Sequence, residues 1–242
     1  MIRPRALAGH RAGVIRGALA EGIGTAFLVT AVVGSGIAAS RLSPTDTGLQ
    51  LLENSIATAA ALAAIILALG PVSGAQLNPV ITLIDLALGG VSGRTAAVYI
   101  AAQISGGAIG AAVANAMFSL PLAFATRPRA GGDLWLGEIV ATFGLVLVVF
   151  GVVRGGRSGA APYAVAAYIG GAYFFTSSTS FANPAVTLAR ALSDSFAGIA
   201  PGSVPGFIAA QLAGGALGLL LVRLLYPHIT SAAQAAVAPH PS

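Results

Sequence analysis

The chain lacks cysteine and lysine altogether, and charged residues occupy only 8% of its 242 positions. The missing cysteines exclude disulfides, a thiolate nucleophile and any metal site with sulfur ligands. Soluble domains ordinarily contain about 25% charged residues, so the scarcity of charge argues against a water-soluble domain. Hydrophobic residues make up 56% of the chain and glycine occurs 32 times, which predicts a polytopic membrane protein with closely packed helices.

Imidazole groups are also scarce, since the histidines are His10, His228 and His240, all near the ends of the chain. An intramembrane hydrolase would need a nucleophile and a base within its apolar segments. None of those segments contains histidine or cysteine. We therefore expect no enzymatic activity, no bound metal and no cofactor.

Six apolar runs have the length of about 20 residues that crosses a bilayer. They cover residues 14–38, 49–69, 94–119, 134–153, 161–180 and 204–226. Two shorter segments, 78–88 and 183–192, have about half that length and predict half-helices that re-enter the membrane. A cleavable signal peptide is a second interpretation of the first run, but its length and its interruption at Glu21 favour a retained span.

All 12 basic residues are arginine, and with 7 acidic residues they give a formal net charge of +5. The basic segment 1–13 precedes the first span, where a cytoplasmic location explains its arginines better than a nucleic-acid partner. With that segment inside, the cytoplasmic side holds Arg3, Arg5, Arg11, Arg16, Arg94, Arg154, Arg157 and Arg223. The opposite side holds Arg41, Arg127, Arg129 and Arg190. We expect a multi-pass protein of the cell inner (plasma) membrane with both termini cytoplasmic and a disordered tail at 228–242.

Internal repetition is clearest in the third and sixth spans. Residues 100–110 read IAAQISGGAIG and residues 208–218 read IAAQLAGGALG, so Gln103 corresponds to Gln211. Chance similarity between apolar segments rarely keeps a glutamine in register. The chain therefore contains two related halves.

The short segments and the first span of each half repeat in the same way. LNPVITL at 77–83 matches ANPAVTL at 182–188, and Glu21 matches Glu138. Each half contains three spans, an odd number, so the second half must enter the membrane from the opposite side. The predicted fold class is an all-α membrane protein with six transmembrane helices and two re-entrant half-helices in an inverted repeat. The two repeats are expected at 14–119 and 134–227.

Asparagine followed by proline starts each half-segment. Asparagine is a favoured helix N-cap, and proline at the first helical position lacks an N–H that would be unpaired there. Asn78 and Asn183 should therefore each begin a short helix, and the inverted symmetry brings these helices head to head near the midplane. Non-helical backbone at that depth is tolerated beside a water-filled cavity or buried in protein, so residues 73–77 and 177–182 are predicted to line a pore. A single Asn-Pro pair would more simply be a loop turn.

With SGAQLNPVITL at 73–83 and SFANPAVTL at 180–188, residues 14–227 resemble the aquaporin, or major intrinsic protein, family. The resemblance implies a passive channel in the lipid bilayer, a homotetramer, and small neutral solutes as partners. The implied signature residues are Asn78, Pro79, Val80, Asn183, Pro184 and Ala185. In the family, the two asparagines donate amide hydrogens to a passing solute, and the positive ends of the half-helices oppose protons and cations.

The narrowest part of the pore departs from the family pattern. Carried over by spacing, its four positions are Thr58, Gly171, Ser180 and Val186. Val186 stands where the family usually has arginine, and most of the ring is small. The pore is therefore expected to be wide and weakly polar, as in the bacterial arsenic-resistance channels that this sequence resembles. Arsenite, methylated arsenicals and glycerol are the expected solutes, with water as a further candidate.

Four polar residues lie inside predicted spans, where an unpartnered carboxylate is expensive. They are Glu21, Glu138, Gln103 and Gln211. We expect the carboxylates to accept backbone N–H groups of the half-loops and the glutamines to brace the same loops. A proton relay is a second interpretation of the two carboxylates.

Arg190 follows Asn183 by about two helical turns, nearly on the same face, which makes it a candidate for the outer vestibule of the pore. The alternative, which we favour, is that it caps the half-helix and pairs with Asp194. Asp85 and Arg94 flank the first half-helix and are expected to form a pair between loops rather than a gate.

An inverted-repeat secondary transporter coupled to protons is the main alternative function. It would need ionisable residues near the midplane, and only Glu21 and Glu138 qualify. Flux that saturates or collapses with the proton gradient would favour a transporter over a passive channel.

Overall fold

The computed structural model of the chain describes residues 4–227, with side chains from Gly13 onward. This part of the chain forms eight α-helices and no strand. The helices are α1 (Pro4–Leu42), α2 (Thr47–Ser73), α3 (Pro79–Ala87), α4 (Gly93–Met117), α5 (Gly132–Arg154), α6 (Ala161–Phe175), α7 (Pro184–Arg190) and α8 (Val204–Leu225).

The predicted architecture of six long and two short helices is confirmed. Helices α1, α2, α4, α5 and α8 are long and apolar enough to cross a membrane. Helix α6 has 15 residues, which is about 22 Å at the helical rise of 1.5 Å per residue. It ends at Phe175 rather than at residue 180, because the backbone becomes extended at Thr176. The half-helices α3 and α7 have 9 and 7 residues.

Two of the expected segments lie at the limits of the structure. The predicted disordered tail, residues 228–242 with His228 and His240, lies outside the described residues. So do the side chains of the basic N-terminal segment, including His10. The division into repeats at 14–119 and 134–227 stays a prediction.

The helices pack as two similar halves. Helix α1 lies against α2 and α4, α5 lies against α6 and α8, and contacts between α2 and α6 join the halves. The half-helices cross between them, since α7 packs on α4 and α3 packs on α8. Each half-helix is therefore held by long helices of both halves.

The bundle has two ends. The proximal end is where α4 begins and α8 finishes, and there Arg223 Nη2 donates to the carbonyl oxygen of Ala87 at 2.9 Å. The distal end is where α4 finishes and α5 begins, and there Arg41 Nη2 in the last turn of α1 donates to the carbonyl oxygen of Phe118 at 2.7 Å. Helix α1 therefore starts, and α8 finishes, at the proximal end.

Glycines set the distance between the long helices. A Cβ on Gly106 of α4 would overlap the carbonyl oxygen of Gly22 in α1. A Cβ on Gly214 of α8 would overlap the carbonyl oxygen of Ile139 in α5. The matched glycines of the repeat therefore allow backbone-to-backbone contact in both halves.

The next glycine in each helix makes room for a half-helix. A Cβ on Gly107 would lie 3.2 Å from the carbonyl oxygen of Ala185 in α7, and one on Gly215 would lie 2.5 Å from Cγ1 of Val80 in α3. Each Gly-Gly pair thus contacts one long helix and the half-helix of the opposite repeat.

Replacing Gly106 by alanine should lower the Tm of the protein in detergent, because the added methyl group meets a backbone carbonyl that cannot rotate away. Overpacking of this kind costs about 1–3 kcal/mol, which lowers Tm by roughly 2–4 °C for each kcal/mol in a domain of this size. Gly70→Ala is the matched control, since its Cβ would meet no atom within 4 Å. Equal melting temperatures for the two variants would contradict the predicted contact.

Candidate functional site

Asn78 and Asn183 are the N-caps of the two half-helices. Both have extended backbone, with φ of −154° and −156°. The Oδ1 of Asn78 accepts from the N–H of Val80 at 2.9 Å. The Oδ1 of Asn183 accepts from the N–H groups of Ala185 at 3.0 Å and Val186 at 3.3 Å. These bonds satisfy helix-terminal donors that have no intrahelical partner.

The same asparagines tie the half-helices together. Asn78 Nδ2 donates to the carbonyl oxygen of Ala182 at 2.8 Å, and Asn183 Nδ2 donates to the carbonyl oxygen of Leu77 at 2.7 Å. Each bond ends on the residue that precedes the other asparagine, so the two helix starts meet. An amide nitrogen carries two hydrogens, and this reciprocal pair leaves one of them on each asparagine.

The loops before the half-helices contain left-handed residues that are not glycine. The φ angle is 46° at Ala75 and 52° at Leu77 in the first loop, and 49° at both Ser180 and Ala182 in the second. Such conformations cost about 1–3 kcal/mol each and persist only where the surroundings hold them. The strained positions correspond between the repeats, which indicates that both loops are held in the same way.

Glu21 of α1 holds the first loop. Its Oε1 accepts the N–H of Gln76 at 2.9 Å, and its Oε2 accepts the N–H of Leu77 at 2.6 Å. Gln103 Nε2 of α4 donates to the same Oε2 at 2.8 Å and to Oγ1 of Thr82 in α3 at 3.0 Å. The carboxylate is fully buried, and these charge-assisted bonds offset its desolvation.

Glu138 of α5 holds the second loop with the same geometry. Its Oε1 and Oε2 accept the N–H groups of Phe181 and Ala182, both at 2.8 Å. Gln211 Nε2 of α8 donates to Oε2 at 2.6 Å and to Oγ1 of Thr187 in α7 at 2.8 Å. The repeated Glu and Gln therefore converge on corresponding loops, and each glutamine also contacts a half-helix.

A cavity of about 210 Å³ lies beside the two asparagines. Its wall contains loop residues 74–77 and 180–182 as well as apolar side chains from α1, α2, α5 and α6. Asp85 and Arg154 belong to this wall toward the proximal end, and Arg190 belongs to it toward the distal end. The lining residues therefore come from both ends of the bundle.

Three of the four residues expected at the narrowest part lie on the cavity wall: Thr58, Ser180 and Val186. Gly171 does not. It is exposed on the outer face of α6, so its assignment to the ring is wrong. The filter role of the other three stays a prediction.

Tyr173, rather than Gly171, lies on the cavity wall in this part of α6. Helix α6 contributes Val165, Ile169 and Tyr173 to the wall, and residues four positions apart share one helix face. Gly171 is two positions from Tyr173, which turns it about 200° away. The Tyr173 hydroxyl donates to Oγ1 of Thr58 at 3.2 Å. The four-residue spacing is visible in the sequence, but the packing of α6 decides which of its faces meets the cavity.

Arg190 lies on the cavity wall and is 2% exposed. Its Nε donates to the carbonyl oxygen of Ala197, and its Cζ lies 3.4 Å from the centroid of the Phe181 ring. The expected pair with Asp194 is wrong, because Asp194 Oδ1 accepts instead from the N–H and hydroxyl of Thr126, at 2.9 and 3.0 Å. Helix α7 ends at Arg190, so Asp194 is not placed one helical turn away.

Arg127 and Arg129 lie close to Arg190. The sequence analysis did not assign either of them to the site. Arg129 Nε donates to the carbonyl oxygen of Gly198 at 2.9 Å, and its Cζ lies 5.1 Å from the centroid of the Phe181 ring. Burial lowers the pKa of Arg129 to about 9, and the like charges of Arg190 and Arg127 act in the same direction. Arg129 still carries its proton at neutral pH, so the distal region is positively charged.

Asp85 lies at the proximal end of the cavity. Its Oδ2 accepts from Nε2 of Gln76 at 2.7 Å, whereas Arg94 is exposed. The expected Asp85–Arg94 pair is therefore wrong, because Asp85 is on the side of α3 that faces the cavity. A Cβ on Gly90 would overlap the Asp85 carboxylate, so a larger residue there would displace Asp85.

Glu138→Gln should lower the Tm in detergent. An amide in place of the carboxylate turns an NH2 group toward one of the donors that now reach Glu138, and a buried donor left without an acceptor costs about 1–3 kcal/mol. Glu53→Gln is the control, because Glu53 Oε1 accepts one hydroxyl, from Ser43 at 2.8 Å, and an amide oxygen can accept it too. Similar melting curves for both variants would show that Glu138 does not hold the loop.

Comparisons with known proteins agree with this architecture. Residues 9–180 match the sequence model of the family described as major intrinsic protein. The chain is 46% identical to "Aquaglyceroporin AqpS" of Rhizobium meliloti (strain 1021) over 211 residues, which are 87% of this chain and 90% of that relative. It is 31% identical to "Aquaporin AqpM" of Methanothermobacter marburgensis over 245 residues, which cover 88% of this chain and 96% of that relative.

A solved structure has the same fold. The X-ray structure of the aquaglyceroporin from Plasmodium falciparum superposes with a TM-score of 0.67 at 15% sequence identity, covering 89% of this chain and 98% of that one. The family match spans more than half of the chain, and the inverted repeat and the apolar helices agree with it. The chain therefore belongs to the major intrinsic protein family, whose members are multi-pass membrane channels and not enzymes.

Proposed function

We propose that the cavity is the conduction path and that it passes small neutral solutes larger than water, namely glycerol and uncharged metalloid compounds such as arsenite and methylated arsenicals. One observation carries this proposal: the cavity wall that contains Asn183 combines the hydroxyls of Thr58 and Tyr173 with the apolar side chain of Val186. A solute with hydroxyls on one side and carbon or methyl groups on the other can bond to the first surface and pack against the second.

Tyr173 changes the expected width of this ring. With Tyr173 in place of Gly171, the ring is bulkier and more polar than small residues alone would make it. The tyrosine donates its hydrogen to Thr58, which leaves the Thr58 hydroxyl hydrogen and the tyrosine oxygen for a solute. Position 186 carries an uncharged valine where the family usually has arginine, and this still favours neutral solutes with an apolar surface.

Asn78 and Asn183 are the proposed donors at the centre of the path. Each uses one amide hydrogen in the reciprocal pair, and the second can donate to a solute oxygen. Donors and acceptors along a wall replace part of the hydration shell that a solute leaves behind. The other signature residues act by fixing the helix starts: Pro79, Val80, Pro184 and Ala185.

The environment of the two intramembrane carboxylates supports passive conduction. Glu21 and Glu138 are both 0% exposed, and neither belongs to the cavity wall. Their oxygens already accept several N–H groups from the loops and glutamines. A proton-coupled transporter needs titratable groups near the centre of the permeation path. The carboxylate on the cavity wall, Asp85, lies toward the proximal end and is bonded to Gln76, so this geometry favours a channel over a transporter.

The same proposal covers orientation, location and assembly. Arg94, Arg154 and Arg223 belong to the proximal end, so the positive-inside rule supports a cytoplasmic proximal end. We place the protein in the cell inner (plasma) membrane with both termini in the cytoplasm.

Large apolar side chains are exposed on the long helices, among them Leu19, Phe27, Ile56, Leu220 and Leu224. Such surfaces suit contact with lipid and with neighbouring copies in a homotetramer.

The names of the similar proteins agree with this solute class. The relative from Rhizobium meliloti and the solved structure from Plasmodium falciparum both bear the name aquaglyceroporin.

Stopped-flow measurements on proteoliposomes, with water, glycerol, arsenite and methylated arsenicals in turn, test the proposal. We expect glycerol and arsenical flux above that of empty vesicles, without saturation and without dependence on a pH gradient. Flux of water alone would overturn the solute class, and flux that collapses with the gradient would establish the transporter.

Val186→Arg should reduce arsenical and glycerol flux much more than water flux. The longer, charged side chain narrows the ring formed with Thr58, Tyr173 and Ser180, while water can bond to the guanidinium and still pass. Val186→Leu adds bulk without charge and should reduce the flux of large solutes less. The measurement is the ratio of methylated-arsenical to water permeability in proteoliposomes containing equal amounts of folded protein. A proportionate loss of both fluxes would contradict the assigned ring.

A further inference from the structure

Arg190 is a buried cation on the wall of the cavity, one helical turn beyond Val186 on α7. Its side chain is 2% exposed, so its charge acts through protein and cavity rather than through bulk water. Charges in such an environment are screened much less than charges at a surface. The potential of this guanidinium therefore extends into the distal part of the cavity.

The guanidinium is held in place by groups that carry no net charge. Its Nε donates to the carbonyl oxygen of Ala197, and Phe181 lies against it with a Cζ-to-centroid distance of 3.4 Å. An aromatic face attracts a cation through its quadrupole and brings no net charge. Within the described residues, the hydrogen bonds of Arg190 reach a backbone carbonyl and not a carboxylate.

The acidic residues nearest to Arg190 in chain or space are engaged elsewhere. Asp194 accepts two bonds from Thr126. Glu138 accepts the N–H groups of the second loop and the amide of Gln211. Glu138 keeps its negative charge in these bonds, and Arg127 and Arg129 add two positive charges to the same region. Of these five charged residues Arg190 is the one on the cavity wall, so the distal wall itself carries a positive charge.

Arg129 offers a natural comparison. It is 8% exposed, contacts the same Phe181 ring at 5.1 Å and bonds to the carbonyl oxygen of Gly198. Unlike Arg190, however, it does not belong to the cavity wall. The two arginines thus share burial, aromatic contact and charge, and differ in whether they face the permeating solute.

We propose that Arg190 determines charge selectivity in this channel: its guanidinium excludes cations from the distal cavity while neutral solutes pass. The positive barrier stands one turn outward from the ring that contains Val186. A fixed positive charge at a constriction with low-dielectric walls repels cations and leaves neutral solutes unaffected to first order. This inference rests on the proposal that the cavity is the conduction path.

The test compares methylammonium, a small cation, with glycerol, a neutral solute, in proteoliposomes of the full chain. Wild-type protein should conduct glycerol and exclude methylammonium. Arg190→Met keeps much of the side-chain length but removes the charge, and should raise the methylammonium-to-glycerol permeability ratio at least about tenfold. Arg190→Lys retains a charge and should keep methylammonium excluded. Arg129→Met, the matched control off the wall, should change the ratio much less than Arg190→Met does.

The outcomes separate this inference from the proposed function. Absence of glycerol flux in folded wild-type protein contradicts the conduction path itself. Glycerol flux with unchanged methylammonium exclusion in Arg190→Met overturns the role of Arg190 alone. An equal rise in Arg129→Met also overturns it, because the change would then come from loosening of the distal loops.

A second variant leaves Arg190 in place and covers the case in which Arg190→Met does not fold. Val186→Glu puts a carboxylate one helical turn from Arg190, where residues four positions apart are neighbours. It should raise the methylammonium-to-glycerol ratio, whereas Val186→Gln, of similar size and neutral, should leave methylammonium excluded. Equal ratios for the Glu and Gln variants would overturn the electrostatic barrier.

Discussion

The hydrogen bonds from backbone N–H groups of the two half-loops to Glu21 and Glu138 are the interaction on which the rest of this structure depends. A non-helical loop inside a membrane exposes polar groups that hydrocarbon cannot satisfy, at several kcal/mol for each group. The carboxylates accept two successive N–H groups in each loop and hold residues such as Leu77 and Ala182 in left-handed conformations. Because both carboxylates lie off the cavity wall, the loops turn these N–H donors away from the cavity.

The positions of the half-helices follow from this attachment and from the glycines of α4 and α8. Held by their loops, α3 and α7 can meet at Asn78 and Asn183 only if the neighbouring long helices come close. Gly107 and Gly215 supply that space, since a Cβ on either would press on a half-helix. The reciprocal bonds between the asparagines then close the centre of the bundle. The carboxylates that hold the loops and the glycines that make room for the half-helices therefore support the same contact, the reciprocal pair of asparagine hydrogen bonds.

The wall of the cavity shows that polarity and charge are distributed unevenly along the path. Thr58 and Tyr173 supply hydroxyls and Val186 an apolar side chain to this wall, and the charged Arg190 lies one helical turn beyond Val186. At the proximal end, Asp85 and Gln76 are bonded to one another. Hydroxyl groups, an apolar side chain and a buried cation therefore all contribute to the wall of one cavity.

The sequence by itself determined the membrane class, the inverted repeat and the starts of both half-helices, because hydropathy, repetition and Asn-Pro caps are local properties that survive any arrangement of the helices. It also singled out Glu21, Glu138, Gln103 and Gln211, since a polar residue kept in register within apolar spans needs a specific partner. Only the tertiary structure decided that Tyr173 and not Gly171 faces the cavity, because the rotation of α6 about its axis is set by packing. The same holds for Arg190 and Asp194: their pairing required α7 to continue, and the chain turns away at Arg190, so a backbone carbonyl and an aromatic ring hold the cation instead.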